Sequence, residues 1–432
     1  MMKKVIILSY SFPPCSLTAA QRVFGWAQYL KQDNIYPTII TRNWDVEIKN
    51  PQDAYKTFTS EIKYVKHEEY EVYYLPYKPS WRDKIYVRYG DTKFILARKA
   101  LTFLGIFFQN WSLYAVPYRS MYTFTRQLLK KNNSYEALII SGNPFIQFRF
   151  GYLLAKKFGI KWIADYRDAW TTSKINGINR GISFKVNNFI ERFFEKKWVK
   201  SASLVTASSQ PIADEITKLT GVHGKALYNG FIKEDFDFIN PTNTFELFTI
   251  TYVGTLYYGQ QIEMFCEAYK KFIDNNLNVK SILLFVGLAF NENQKSRVIA
   301  LLSGYENYYS FTNRISRNET LEIEVRSHVL LYVAWKGFEG IIASKIYEYI
   351  ASGSFILITP SDNGSIEEIL QRSGCGTSTN TVEETYSFLN NFYKKYLDGE
   401  KVTNNTSNIR VLGFSRENQV KKLSEFINEL SK

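Results

Sequence analysis

The chain has 432 residues, 45% of them hydrophobic and 22% charged, and carries a net charge of +13. That length exceeds one ordinary core and suits two domains of roughly 200 residues each, while the composition excludes a disordered chain. Three cysteines and three histidines, scattered along the sequence, exclude a disulfide framework and provide no zinc-ligand spacing.

The apolar run at the N-terminus is too short for a signal peptide. It is predicted as a first strand over Lys4–Ser9, and a cytoplasmic setting is expected. The following loop contains Pro13, Pro14, Ser16 and Thr18 but no glycine, so the dinucleotide-binding fingerprint is absent. Ser16 or Thr18 can cap the helix predicted over Ala20–Asp33, whose first turn carries Arg22. That helix start offers donors to an anion or an acceptor hydroxyl; an ordinary capped loop explains the same residues.

Short β-rich runs recur at Pro37–Thr41, Val72–Leu75, Ala137–Ser141, Lys161–Ala164, Ser203–Ala207 and Lys225–Tyr228. Helical patterns separate them at Met121–Lys131, Pro144–Phe158, Ser183–Val199 and Gln210–Leu219. Such alternation predicts a parallel sheet covered by helices. From Lys78 to Lys131 there are eleven Lys and Arg against two Asp, interleaved with aromatics such as Trp81, Phe103, Phe107, Phe108 and Trp111. This pattern suits an anionic membrane surface or nucleic acid, and equally a solvated helical face.

Ser141-Gly-Asn143-Pro144 lies between a strand and a helix, as does the charged string Asp165-Tyr-Arg167-Asp168-Ala-Trp170 after the strand predicted at Lys161–Ala164. Ligands bind at the carboxyl ends of strands in open parallel sheets. Two carboxylates and a guanidinium there can grip a polar substrate or simply form a structural pair.

A polar stretch around Pro241 reads as a linker, giving an N-terminal domain over 1–240 and a second over 245–410. The amphipathic end, 415–432, is expected to return to the first domain. The second alternating set runs through Leu247–Val253, Ser281–Val286, Val329–Val333 and Phe355–Thr359. Gly254 and Thr255 follow its first strand, where glycine admits a close approach by phosphate. Ser344 is placed as an N-cap ahead of Lys345 and Glu348, which are three apart and so share a helix face. A helix start with Lys345 suits a diphosphate, and Glu348 suits the hydroxyls of a ribose; a surface ion pair is the plainer alternative. The expected architecture is α/β: two doubly wound Rossmann-like domains facing across a cleft.

Together these segments resemble the GT-B retaining glycosyltransferases of the group-1 (family-four) type. The resemblance is carried by Gln21-Arg22-Val23, Ser141-Gly-Asn-Pro, Asp165-Tyr-Arg-Asp-Ala-Trp170, Tyr252-Val-Gly-Thr255 and Lys345-Ile-Tyr-Glu348-Tyr-Ile-Ala-Ser-Gly353. It implies transfer of a sugar from a nucleotide-diphosphate donor to a hydroxyl, with retention. Glu348 would hold the donor ribose, while Gly254, Thr255, Ser344 and Lys345 would face the diphosphate. Asp165, Arg167 and Asp168 would stand near the reaction centre, with Ser16, Thr18, Arg22 and Asn143 on the acceptor side. The chain departs from the family where a first glutamate is usual, since eight residues before Glu348 stands Gly340, with Glu339 beside it. It also has Tyr257, Tyr258, Gln260 and Gln261 where a cation is usual.

No metal or other cofactor is expected, since Lys345 and helix amides can offset the diphosphate charge. The basic, aromatic stretch fits a lipid-linked or polysaccharide acceptor reached from the inner face of a membrane. The competing readings are a catalytically altered sugar-nucleotide-binding partner, an epimerase or hydrolase on the same frame, and an anionic-surface or nucleic-acid binding protein.

Overall fold

The computed structural model describes residues 2–15, 18–44, 53, 55–90, 92–132, 134–173, 181–239, 244–338, 340–400 and 402–430. The chain divides into two compact units, Met1–Tyr228 with Gln419–Lys432, and Asn229–Asn418.

The first unit is built on strands β1 (Lys3–Ser9), β2 (Ile35–Arg42), β3 (Lys63–Lys66), β4 (Glu71–Leu75), β5 (Tyr135–Gly142), β6 (Lys161–Tyr166), β7 (Leu204–Ala207) and β8 (Gly224–Ala226). Their spatial order is β3-β4-β2-β1-β5-β6-β7-β8, parallel throughout except that β3 runs antiparallel to β4. The central strands are buried on both faces, which is why they read as continuous apolar runs. Alternation still sorts their side chains: Ile6 and Leu8 pack on one face with Leu138 and Ile140, Val5 and Ile7 on the other with Ala137 and Ile139.

Helices α1 (Thr18–Tyr29), α2 (Trp81–Tyr89), α3 (Ile95–Trp111), α4 (Arg119–Lys131), α5 (Gln147–Phe158), α6 (Ile182–Val199) and α7 (Gln210–Thr220) join these strands. Helix α5 starts at Gln147 rather than at Pro144, because the residues between form tight turns, Gln147 N–H to Pro144 O at 3.2 Å and Phe148 N–H to Phe145 O at 3.0 Å. The sequence reading gave no helices to Lys78–Ser120; α2 and α3 fill most of it, and α2 is opened by a capping box between Ser80 and Asp83.

The second unit has strands β9 (Phe248–Val253), β10 (Ser281–Val286), β11 (Tyr309–Phe311), β12 (Val329–Tyr332), β13 (Phe355–Ile358) and β14 (Gly376–Ser378) in the order β11-β10-β9-β12-β13-β14. All are parallel. Its helices are α8 (Ile262–Asp274), α9 (Glu292–Leu301), α10 (Arg317–Arg326), α11 (Lys345–Ser352), α12 (Ser365–Ser373), α13 (Val382–Leu397) and α14 (Ile409–Leu412), followed by the start of α15 (Arg416–Leu430). Helix α15 begins in this unit and runs into the first, where Val420, Leu423 and Ile427 pack with Val23 and Ala27 of α1. The spacing 420, 423, 427 is one apolar stripe of a helix.

Each sheet therefore has a point where the chain reverses its direction of winding. In the first unit it lies between β1 and β5, in the second between β9 and β12. Loops at the carboxyl ends of those strand pairs are where an open α/β sheet binds ligands.

Candidate active site

In the first unit, β6 continues through Asp165 and Tyr166 instead of ending at Ala164, as the sequence reading had it. Asp165 consequently faces inward and is 0% exposed. Its carboxylate accepts from Arg22 Nε at 3.1 Å and Nη2 at 2.7 Å, from Ser141 Oγ at 2.8 Å and from Thr206 Oγ1 at 2.8 Å. Arg22 also donates through Nη1 to the Leu227 carbonyl at 2.8 Å and is itself buried. One buried pair thus ties α1, β5, β6, β7 and the end of β8 together. Arg22, expected to greet the acceptor, is consumed by this pair because α1 packs its first turn against the strand ends. Of the two carboxylates beside it, Arg167 grips Asp168, through Nε at 3.0 Å and Nη2 at 2.8 Å. That second pair is open to solvent on the Asp168 side.

The loop carrying Arg167 and Asp168 is pinned by Glu195 of α6. The Glu195 carboxylate accepts from the Tyr166 hydroxyl at 3.0 Å, the Thr171 backbone N–H at 3.3 Å and the Thr171 hydroxyl. Burial raises its pKa, with those hydrogen bonds opposing. Trp170 stacks on Phe145 with centroids 5.1 Å apart, bringing the loop after β6 against the loop after β5 that holds Asn143. Asn143 is exposed and Thr18 opens α1, whereas Ser16 lies outside the described residues.

In the second unit, Gly254 stands directly after β9 with φ +89°, and a Cβ there would meet only open space. Left-handed backbone with room above it marks a place where a ligand's phosphate can approach. Thr255 is exposed beside it. The loop is held by Gln260, which is buried and donates to the Val333 carbonyl after β12 at 2.6 Å. Arg297 of α9 braces the same loop, donating to the Gln260 carbonyl at 2.9 Å and pairing with Glu263 through Nε at 2.8 Å. Gln260, in the stretch where the resemblance implies a cation, is thus a staple between the two ligand-facing loops.

Ser344 does not cap α11 through its side chain. Its backbone is already helical (φ −58°, ψ −25°), whereas a capping residue needs extended geometry. Lys345 sends its ammonium to the Val253 carbonyl at 3.0 Å and over the Tyr252 ring at 3.7 Å. Burial draws its pKa down to about 7, opposed by Glu324. Tyr349, one turn on, receives the Val253 N–H at 2.9 Å and bolts α11 to the end of β9. Glu348 does not meet Lys345; it pairs with Arg317 of α10, which also holds Asp235 at 2.7 Å.

Sequence reasoning missed Arg317 and Glu324. The string Ser316-x-x-Glu319 was the available signal, since it forms a reciprocal capping box at the start of α10. Glu324 is 0% exposed, and neither of its oxygens has a hydrogen-bond partner. Burial, reinforced by Glu348, pushes its pKa far above the carboxylate range, with the Arg317 and Lys345 charges opposing. The chain's Asp-x-Asp string, Asp235-Phe-Asp237, gives its first carboxylate to Arg317. Among the described residues no group of three or more His, Cys, Asp or Glu is placed to hold a metal ion.

No described protein family matches the sequence, and no curated protein does. Solved structures do match along the whole chain. A sucrose-phosphate synthase from Thermosynechococcus elongatus superposes with a TM-score of 0.63 at 13% identity, over 99% of both chains. A glycosyltransferase from Rickettsia africae gives 0.63 at 14% identity, over 100% of this chain and 99% of that one. The Anabaena protein HepE, solved in complex with UDP-glucose, gives 0.60 at 13% identity over 99% of both. At such identities the likeness establishes the fold: the chain has the two Rossmann-like domains of GT-B glycosyltransferases.

Proposed function

We propose that the chain is a glycosyltransferase that moves a sugar, with retention, from a nucleotide-diphosphate donor to a hydroxyl of a lipid-linked or polysaccharide intermediate. The observation that carries this reading is the grouping of Gly254, Thr255 and Lys345 at the winding reversal of the second sheet, with Glu348 one turn along α11. In the reaction the bond from the anomeric carbon to the donor phosphate breaks, and a bond to the acceptor oxygen forms on the same face. The acceptor's proton leaves with the diphosphate. Negative charge grows on that leaving group, so cations and backbone donors aimed at it give the largest rate gain. Lys345 supplies the cation: a phosphate dianion beside it restores the proton that burial weakens. Glu348 takes the ribose hydroxyls, and Arg317 fixes the carboxylate for that task.

On the acceptor side, Asp168 with Arg167 reaches the solvent-facing loop, whereas Asp165 acts through Arg22 as a positioning residue. The basic, aromatic face of α2 and α3 supports a peripheral association with the inner face of a membrane. Trp81, Leu96, Phe108 and Trp111 are all more than half exposed there, and Lys84 sits over the Trp81 ring at 4.9 Å. Among the described residues no helix is long and apolar enough to cross a membrane.

The test is release of nucleoside diphosphate from UDP-, GDP- and ADP-sugars when a sugar-headed lipid extract is added. Release that needs the lipid and is lost in Lys345→Met supports the reading, and the anomeric configuration of the product reports retention. Nucleotide binding without release from any donor would favour the alternative of a sugar-nucleotide-binding partner. That alternative draws on the engagement of Glu348 by Arg317.

A further inference from the structure

A cavity of about 260 Å³ lies in the first unit, where α3 passes over the loops after β5 and β6. Its polar lining comes from Gln109 and Asn110 of α3, Asn143 of the β5 loop and Glu191 of α6; Phe145 and Trp170 supply apolar walls. Ligand pockets typically run from about 300 Å³ upward, so this one holds a group no larger than about one sugar ring.

Two observations mark it as built for a polar guest. Asn110 is 5% exposed, and its Nδ2 has no hydrogen-bond partner, a state that is costly unless a ligand satisfies it. Its position is also enforced: Arg149 of α5 donates to the Gln109 carbonyl at 2.5 Å and the Trp111 carbonyl at 2.9 Å, clamping the end of α3. Across the cavity, burial pushes the Glu191 carboxyl up to about 7, with the Trp170 indole N–H opposing. A carboxyl held there can both give and accept a hydrogen bond, as a sugar hydroxyl requires.

The same helix carries an apolar stripe. Leu96, Phe103, Leu104, Phe107, Phe108 and Trp111 are each 39% exposed or more. Their spacing of three and four residues puts them on one face of α3, and its last turns also supply Gln109 and Asn110. A compact polar pocket beside a long exposed apolar stripe fits one kind of molecule, an uncharged sugar joined to a hydrocarbon chain.

We propose that this cavity is the acceptor subsite and takes a single neutral pyranose ring of a sugar-headed lipid, with Asn110 Nδ2 donating to a ring hydroxyl and the lipid chain lying along α3. The inference rests on the glycosyltransferase reading for the word acceptor, but the binding site stands on its own geometry.

The test is saturation-transfer NMR on the full chain with octyl β-D-glucopyranoside, octyl β-D-galactopyranoside and octyl N-acetyl-β-D-glucosaminide, all below micelle concentration. At least one is expected to show saturation of both ring and chain protons. Asn110→Leu should weaken ring binding by about tenfold, the scale of one lost hydrogen bond. Ile106→Trp, which fills the cavity from its α3 wall, should abolish ring saturation, and Trp111→Glu should weaken the octyl glycoside but not its methyl counterpart. No ring saturation with any of the three, or unchanged ring affinity in both Asn110→Leu and Ile106→Trp, overturns the proposal. Parallel titrations with UDP, GDP and ADP separate the two claims. Nucleotide binding without glycoside binding sinks the subsite alone, whereas glycoside binding without nucleotide binding sinks the transferase reading and leaves the site.

Discussion

Asp165→Asn separates an anchoring carboxylate from a catalytic one. The substitution keeps the side chain's volume but replaces one accepting oxygen with an NH2 that must face Arg22, Ser141 or Thr206, all of which donate to Asp165. It also removes the carboxylate charge with which the buried Arg22 guanidinium pairs. Breaking a buried pair from one side costs about 3–5 kcal/mol, a large share of the 5–15 kcal/mol or so that holds a domain folded. With a urea slope of about 2 kcal/mol per M, the first unit's transition should move down by roughly 2 M. The double substitution Arg22→Leu with Asp165→Leu removes both charges and should be less destabilised than either single one, since apolar replacement of a buried pair is close to neutral. Urea unfolding followed by tryptophan fluorescence reads wild type and each of these variants. An Asp165→Asn protein within about 0.5 kcal/mol of wild type, yet without transferase activity, would refute the anchoring role and return Asp165 to the chemistry.

Further outcomes follow from the second unit and from α2. Nucleotide binding is expected to take up a proton above pH 7, because a phosphate raises the Lys345 pKa from about 7. Affinity should therefore fall as pH rises through that value, and calorimetry in buffers of different ionisation enthalpy measures the uptake; Lys345→Met should abolish it. The same depressed pKa makes unfolding easier at low pH. The unfolded lysine binds its proton up to about pH 10.4, so this residue's contribution to stability improves as pH rises from about 7 toward that value. Glu324→Met should stabilise the second unit by about 1–2 kcal/mol at neutral pH, since it replaces a buried acid whose oxygens have no hydrogen-bond partner by an apolar side chain of similar length; a lowered thermal midpoint would contradict this. Reversing charge at Arg82, Lys84 and Arg88 should release the protein from vesicles containing phosphatidylglycerol, as read by flotation. Unchanged partitioning would remove the membrane reading.

The parallel sheets were legible because fully buried strands leave apolar runs, such as Val5 to Leu8 and Phe248 to Val253, that few other structures require. The loops carrying Gly254 and Asn143 were legible for a related reason, as they sit where such runs stop. What the sequence hid was partner choice. Asp165, Arg167 and Asp168 are close neighbours in sequence, yet the strand's alternation sends Asp165 inward to Arg22, far away in sequence, while Arg167 keeps Asp168. Arg317 and Glu324 reach α11 only through the packing of α10, and nothing in local spacing announces that. Glu191 and Glu195 were half visible: four apart, and with Glu195 three before Trp198, they share a helix face that apolar residues dominate. The region from Lys78 to Ser120 was read by composition, and its capping box at Ser80 would have located α2.

The central claim is that the second unit binds a nucleotide diphosphate at Gly254, Lys345 and Glu348. Calorimetric titration of UDP, GDP and ADP into wild type and Glu348→Ala tests it most directly. One nucleotide is expected to bind, with affinity lost by about tenfold or more in the variant, the scale of a charge-assisted hydrogen bond. Binding of none of the three, or equal binding to both proteins, would contradict the account.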